Sequence, residues 1–223
     1  MFPAMVMAQK KQKPDVKRYF IHSHGITFQH FDDLSNRVNA NSQYAALKNT
    51  TGTLQFGLMT ERNKLVLNFS GGSGSSLNGS KTRKSSATRS LSGALDIGYI
   101  ILDHNRISAY PFAGLGYEIF TVTLRKDIST VAFDSVLRSP AVQQNISPIK
   151  LTNSFITYRV GAAVNITSVR HPRNSLGILA GYTGGINRQE WKINDIQSLL
   201  NSPMDNLSKF FVQLQIRYRL QRR

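Results

Sequence analysis

The feature that most constrains this chain is a hydrophobic repeat of two. Over 91–101, Leu91, Gly93, Leu95, Ile97, Tyr99 and Ile101 share one parity, and Ser92, Ala94, Asp96, Gly98 and Ile100 hold the other. Over 154–167, Ile156, Tyr158, Val160, Ala162, Val164 and Ile166 oppose Phe155, Thr157, Arg159, Gly161, Ala163 and Asn165. Over 210–220, Phe210, Val212, Leu214, Ile216, Tyr218 and Leu220 oppose Phe211, Gln213, Gln215, Arg217 and Arg219. A helix brings its apolar positions round every three to four residues, whereas alternate residues of a strand lie on opposite faces. Five further segments alternate less cleanly, at 24–31, 53–60, 65–75, 107–124 and 175–190. The pattern predicts eight β-strands.

The connections alternate as well. Those at 32–52, 76–88, 125–153 and 191–207 are long, and those at 61–64, 103–106 and 168–174 are short and polar. An up-and-down barrel threaded through a membrane has this rhythm, with tight turns on the periplasmic side and longer loops outside. Within 32–52, Leu34, Val38, Tyr44 and Leu47 are spaced for a short helix starting at Asp32 or Asp33.

Composition decides which solvent meets the apolar face. The opposite faces are rich in Gly, Ala, Ser, Thr, Asn and Gln, with few of the lysines and glutamates of a water-facing sheet. Their charges carry both signs: Asp96, Glu118, Arg159, Arg217 and Arg219. Small residues and mixed charges suit the interior of an eight-stranded barrel, where buried charges must pair. The aromatic residues Tyr99, Tyr110, Phe112, Trp191, Phe210 and Tyr218 fall near strand ends, where a membrane-interface girdle is expected. The reading is all-β: an eight-stranded antiparallel up-and-down transmembrane β-barrel, apolar outside and polar within.

Several classes are excluded. No apolar run approaches the roughly 18 residues of a membrane helix, and mean hydropathy is −0.26. The chain has no cysteine, so disulfide scaffolds, thiolate metal sites and cysteine nucleophiles drop out. Lys+Arg 28 against Asp+Glu 12 gives a net charge of +16. Clusters such as Lys10-Lys11-Lys13-Lys17-Arg18 and Lys81-Arg83-Lys84-Arg89 do not lie along one sheet face among stacking aromatics, which argues against nucleic acid. They suit contact with anionic lipid headgroups, including lipopolysaccharide.

No cofactor, metal or catalytic group is expected. His22, His24 and His30 share one strand parity, and ligands in line along a strand splay apart instead of converging. Ser23 points away from its flanking histidines. Gly71-Gly72-Ser73-Gly74-Ser75-Ser76 lacks the Gly-Lys-Ser/Thr ending of a phosphate loop. The interior charges read as a structural plug in preference to a polar path through the lumen.

Residues 1–8, with Val6 and Ala8 at cleavage-site spacing, read as the remnant of a signal peptide, 9–17 as a basic periplasmic tail, and 18–223 as the barrel. The run Ala109-Tyr110-Pro111-Phe112-Ala113-Gly114-Leu115-Gly116-Tyr117 resembles a strand of small eight-stranded outer-membrane β-barrel proteins, the outer membrane protein A/X-like barrels. The segment Phe210–Leu220 is similar to the C-terminal strand that the barrel-assembly machinery reads, although this chain continues to Gln221-Arg222-Arg223 where the family ends on an aromatic. The resemblance spans residues 18–220. It implies a bacterial outer-membrane location and a non-enzymatic structural or surface role in envelope integrity or adhesion. Loop 125–153, with Phe133, Leu137 and Ile146, is the candidate partner-binding segment. A small porin or ligand carrier, and a soluble lipocalin-like barrel with an apolar ligand, are the rival readings.

Overall fold

The computed structural model describes residues 16–79, 83–193 and 197–220. Eight long strands run β1 (Val16–His30), β2 (Thr50–Arg62), β3 (Leu65–Asn78), β4 (Ser85–Tyr99), β5 (Ile107–Arg125), β6 (Ile149–Thr167), β7 (Asn174–Gly185) and β8 (Ser208–Arg219). Each pairs antiparallel with the next, and β8 returns to β1 through the register Tyr19↔Arg219 to His30↔Ser208. The sheet closes on itself, so the long strands leave no edge unpaired.

The burial pattern answers the question of solvent. Leu95, Val160 and Leu214 are 48%, 46% and 48% exposed, while Asp96 and Arg159 are 3% and 5% exposed. An outer wall of Leu, Ile, Val and Phe around a polar interior is unstable in water and suited to hydrocarbon, where closed strand pairing also satisfies every backbone group. The fold is therefore a transmembrane barrel, and the soluble lipocalin-like reading fails on the direction of the apolar face.

The strands are longer than their hydrophobic runs. β1 begins at Val16, because Val16 and Lys17 pair with Arg62 and Glu61. The expected tail over 9–17 thus gives up its last two residues to the barrel, and the rest of it, with residues 1–8, lies outside the described residues. β3 and β4 also extend toward each other, pairing Asn78 with Ser86, so the loop expected at 76–88 shrinks to 79–84. The other long loops share its end of the barrel. At the opposite end, β2 turns into β3 through Asn63-Lys64, both at positive φ (50° and 69°). That backbone matches the right-handed strand twist and favours Asn and Gly.

The loop end is roofed. A helix α1 (Asp32–Asn39) buries Leu34 and Val38, while Tyr44 and Leu47 pack beside it without extending it. Two short helices, α2 (Phe133–Arg138) and α3 (Pro140–Ile146), occupy the loop between β5 and β6. Ser139 caps α3, accepting from the Val142 N–H at 3.4 Å. None of the described helices is long and apolar enough to cross a membrane.

Candidate functional site

Inward-facing side chains stack in layers. Near the turn end, Arg217 donates from Nη1 to Glu61 Oε1 at 3.0 Å and from Nε to Ser175 Oγ at 2.7 Å. Its guanidinium stands 5.1 Å from the centroid of the Tyr19 ring, and the Tyr19 hydroxyl donates to Glu61 Oε2 at 3.0 Å. Above this lies an apolar layer that includes Ile21, Met59, Val66, Tyr110, Phe112 and Phe211.

Then come two further ion pairs. Arg159 Nη1 meets Asp96 Oδ2 at 3.2 Å, and Asn68 Nδ2 donates to the same oxygen at 3.2 Å. The other face of the Arg159 guanidinium lies 5.1 Å from the Phe211 ring centroid. Lys209 Nζ donates to the Glu118 carboxylate at 2.6 Å. All four charges are buried. Isolated they would be costly in so buried a place, and paired they link β4 to β6 and β5 to β8 across the lumen. Gly114 makes room for Asp96: a Cβ there would sit 2.3 Å from Asp96 Oδ1.

The roof closes the loop end with Phe31, Phe120, Phe155 and Trp191, whose rings meet at 5.0–6.2 Å. Asp205 is its polar hub. Its carboxylate accepts from the Asp33 N–H at 2.8 Å, the Leu34 N–H at 3.2 Å and Trp191 Nε1 at 2.8 Å. It thereby ties the last long loop to the N-terminus of α1. Asp33 in turn takes Arg37 at 3.1 Å and the Met204 N–H at 2.9 Å, and these contacts hold its carboxyl below the ordinary carboxylate range. Between roof and floor, the void beside Glu118, Arg159 and Lys209 measures about 10 Å³. That is about the room one water needs, and a wider cavity of about 270 Å³ lies at the turn end beside Tyr19, Glu61 and Arg217.

The expected interior charges divide. Asp96 and Arg159 meet each other, Glu118 meets Lys209, and Arg217 meets Glu61; Arg219 stands exposed at the rim of the turn end. Glu61 and Lys209 were missed because both sit where a strand runs past its hydrophobic segment. Of the expected interface aromatics, Tyr99, Phe210 and Tyr218 face outward. Tyr110, Phe112 and Trp191 do not: the first two share inward parity with Glu118, and Trp191 is 0% exposed within the roof. Tyr158 and Tyr182 join Phe210 on the outer wall instead, at centroid separations of 6.1 and 5.0 Å. His22 and His24 lie midway along β1 on that wall with rings 4.3 Å apart, while Ser23 is buried inside. Among the described residues, no three His, Asp or Glu side chains gather as a metal site would require.

The loop expected at 125–153 shortens to 126–148, because both flanking strands run on; in it Phe133 and Leu137 are exposed and Ile146 is half-buried. Asp127 Oδ1 accepts from the Ser129 N–H at 2.9 Å, which lowers its pKa.

No protein-family model and no curated protein sequence matches this chain. Solved structures do match. A major outer membrane protein from Thermus thermophilus has a TM-score of 0.55 at 12% identity, covering 91% of this chain and 99% of its own. Ail, the attachment invasion locus protein of Yersinia pestis, solved with the heparin analogue sucrose octasulfate, has a TM-score of 0.50 at 12% identity, covering 92% of this chain and 99% of its own. At such identity the likeness is one of fold, an outer-membrane type of barrel spanning nearly the whole of each chain.

Proposed function

We propose that this protein is a non-enzymatic barrel of the bacterial outer membrane. The wall anchors it, the plugged interior stabilises it, and the long loops meet the cell's surroundings in adhesion or envelope integrity. The observation that carries the reading is the pairing of an apolar outer wall with a lumen blocked by three buried ion pairs and an aromatic roof. A porin or carrier needs an open path, and the void of about 10 Å³ weighs against one.

The partners follow from chemistry. The loop end carries cations such as Lys48, Arg83, Lys126, Arg138 and Arg188, which attract sulfated or phosphorylated surface groups. The Yersinia pestis protein solved with sucrose octasulfate lends that reading support. Loop 126–148 adds Phe133 and Leu137 as apolar contacts for a protein partner. Anionic lipid headgroups surround the barrel, and the assembly machinery engages β8.

Membrane fractionation of a Gram-negative host expressing the chain tests this reading. The protein is expected in the outer-membrane fraction, extracted only by detergent, with mobility on gels that changes on boiling. Recovery in the aqueous fraction refutes the anchor, and stepwise conductance in planar bilayers refutes the plug.

A further inference from the structure

The outer wall is not uniformly convex. Gly71 and Gly93 pair across β3 and β4, and the same row continues to Phe56 on β2 and Tyr117 on β5. Two glycines between two aromatic rings leave a notch of about 500 Å³ with apolar sides, including Leu54, Leu91 and Ile119. Nothing underneath forces glycine at position 93, since a Cβ there would meet no atom within 4 Å. At Gly71 it would come no nearer than 3.7 Å, to the Ser92 carbonyl. Most other glycines of this barrel are tight, as Gly114 is. This pair is open toward the membrane.

Toward the loop end the notch runs into a second groove of about 420 Å³, which shares Tyr117 and Ile119 and adds Thr121, Thr152, Ser154 and Lys192. Here the wall changes character. Register places Arg89, Thr121 and Thr152 in one row across β4, β5 and β6, and Lys192, on the short strand Lys192–Ile193 that pairs with β6, continues it, about 14 Å in all at the usual strand spacing. One step higher Thr123 pairs with Lys150, and beyond it Arg125 pairs with Ser85. Arg89, Arg125, Lys150 and Lys192 are all exposed, and none forms an ion pair among the described residues. Glu190 is the one acid lining the groove among the described residues.

Apolar notch, hydroxyl band and cations succeed one another in the order of an anionic lipid's own parts. Resting on the proposed outer-membrane placement with the long loops outside, we infer that this wall is a specific site for a phosphorylated glycolipid of the outer leaflet. One acyl chain lies in the Gly71–Gly93 notch, the sugar hydroxyls meet Thr121, Thr152 and Ser154, and the phosphates meet Arg89, Arg125, Lys150 and Lys192. Charge complementarity selects this occupant over a neutral lipid, and the placement of the cations at the loop end selects the outer leaflet.

The test uses the full chain refolded in zwitterionic detergent, titrated with bisphosphorylated hexa-acyl lipid A and read by native mass spectrometry. One retained lipid A is expected, at least tenfold tighter than the fully dephosphorylated lipid or phosphatidylglycerol. The R89S/K192S variant and the G93F variant are each expected to lose at least tenfold in affinity. A control, R18S/R170S, removes two cations at the turn end and is expected to bind as the parent does. G93F fills open space, so its heat-modifiable mobility reports that it still folds. Equal retention of all three lipids, or unaltered binding by both groove variants, overturns the site. A dimer of the parent protein broken by G93F, with no lipid A retained, overturns it in favour of a second copy. A chain that fractionates to the outer membrane yet retains no lipid A sinks this inference alone, whereas an aqueous chain sinks the placement beneath it.

Discussion

Replacing Arg159 with methionine is the most informative single perturbation of this barrel. Arg159 and Asp96 are 3.2 Å apart and both almost fully buried. At an effective dielectric near 20, charges that close attract by about 5 kcal/mol. Methionine keeps much of the side-chain volume and the contact with Phe211, but leaves the Asp96 carboxylate with one hydrogen bond, from Asn68. Stranding one partner of a buried pair typically costs about 3–5 kcal/mol, or roughly two to four decades in the unfolding equilibrium. The D96N/R159M double variant removes both charges, so most of that loss is expected to return. Urea titration of the folded protein in lipid vesicles measures it, with the midpoint falling at constant slope. An R159M protein within about 1 kcal/mol of the parent, a shift the size of an exposed ion pair, would refute the plug. So would a double variant as unstable as the two single changes added together.

Asp205→Ala should loosen the roof without opening the barrel. It strands the Leu34 N–H and Trp191 Nε1, at about 1–3 kcal/mol for each unsatisfied buried donor. Emission from Trp191, the only tryptophan, is expected to shift to the red and the segment 186–207 to become protease-sensitive, while far-ultraviolet dichroism holds. Acid should act at the same place. Because Asp33 has a depressed folded-state pKa, its contribution is fully present above the ordinary carboxylate range and fades as pH falls through the folded value. Trp191 fluorescence is thus expected to respond below about pH 4, and less so in Asp33→Asn. On the outer wall, Val160→Arg places a charge midway along β6 and should lower folded stability in vesicles by about 2–4 kcal/mol. The same substitution at Lys150, beyond the apolar band, should be silent.

The architecture was legible because closing a barrel and alternating its faces are one geometric fact, visible wherever an apolar run is long enough to show its parity. Parity alone also places Tyr110 and Phe112 inside, on the face of Gly114 and Glu118. Expecting them at the interface put residue type ahead of position. What stayed hidden lies where parity loses its contrast. The start of β1 has Ile21 facing in and His22 facing out, so a hydropathy pattern cannot tell wall from lumen there and the strand looks shorter than it is. Glu61 and Lys209 sit at such ends, which is why two of the three ion pairs lacked a visible partner. The roof is a different case. Asp205 reaches back to α1 across 171–172 residues, and no local spacing encodes a carboxylate that caps a helix so distant in the chain. The wall site belongs to neither kind. Arg89, Thr121, Thr152 and Lys192 are scattered in sequence and become neighbours only through register, which the alternation of faces and the turn geometry set. The Asp96–Arg159 pair joins β4 to β6 across β5, so the plug favours the same register that brings these outward residues side by side.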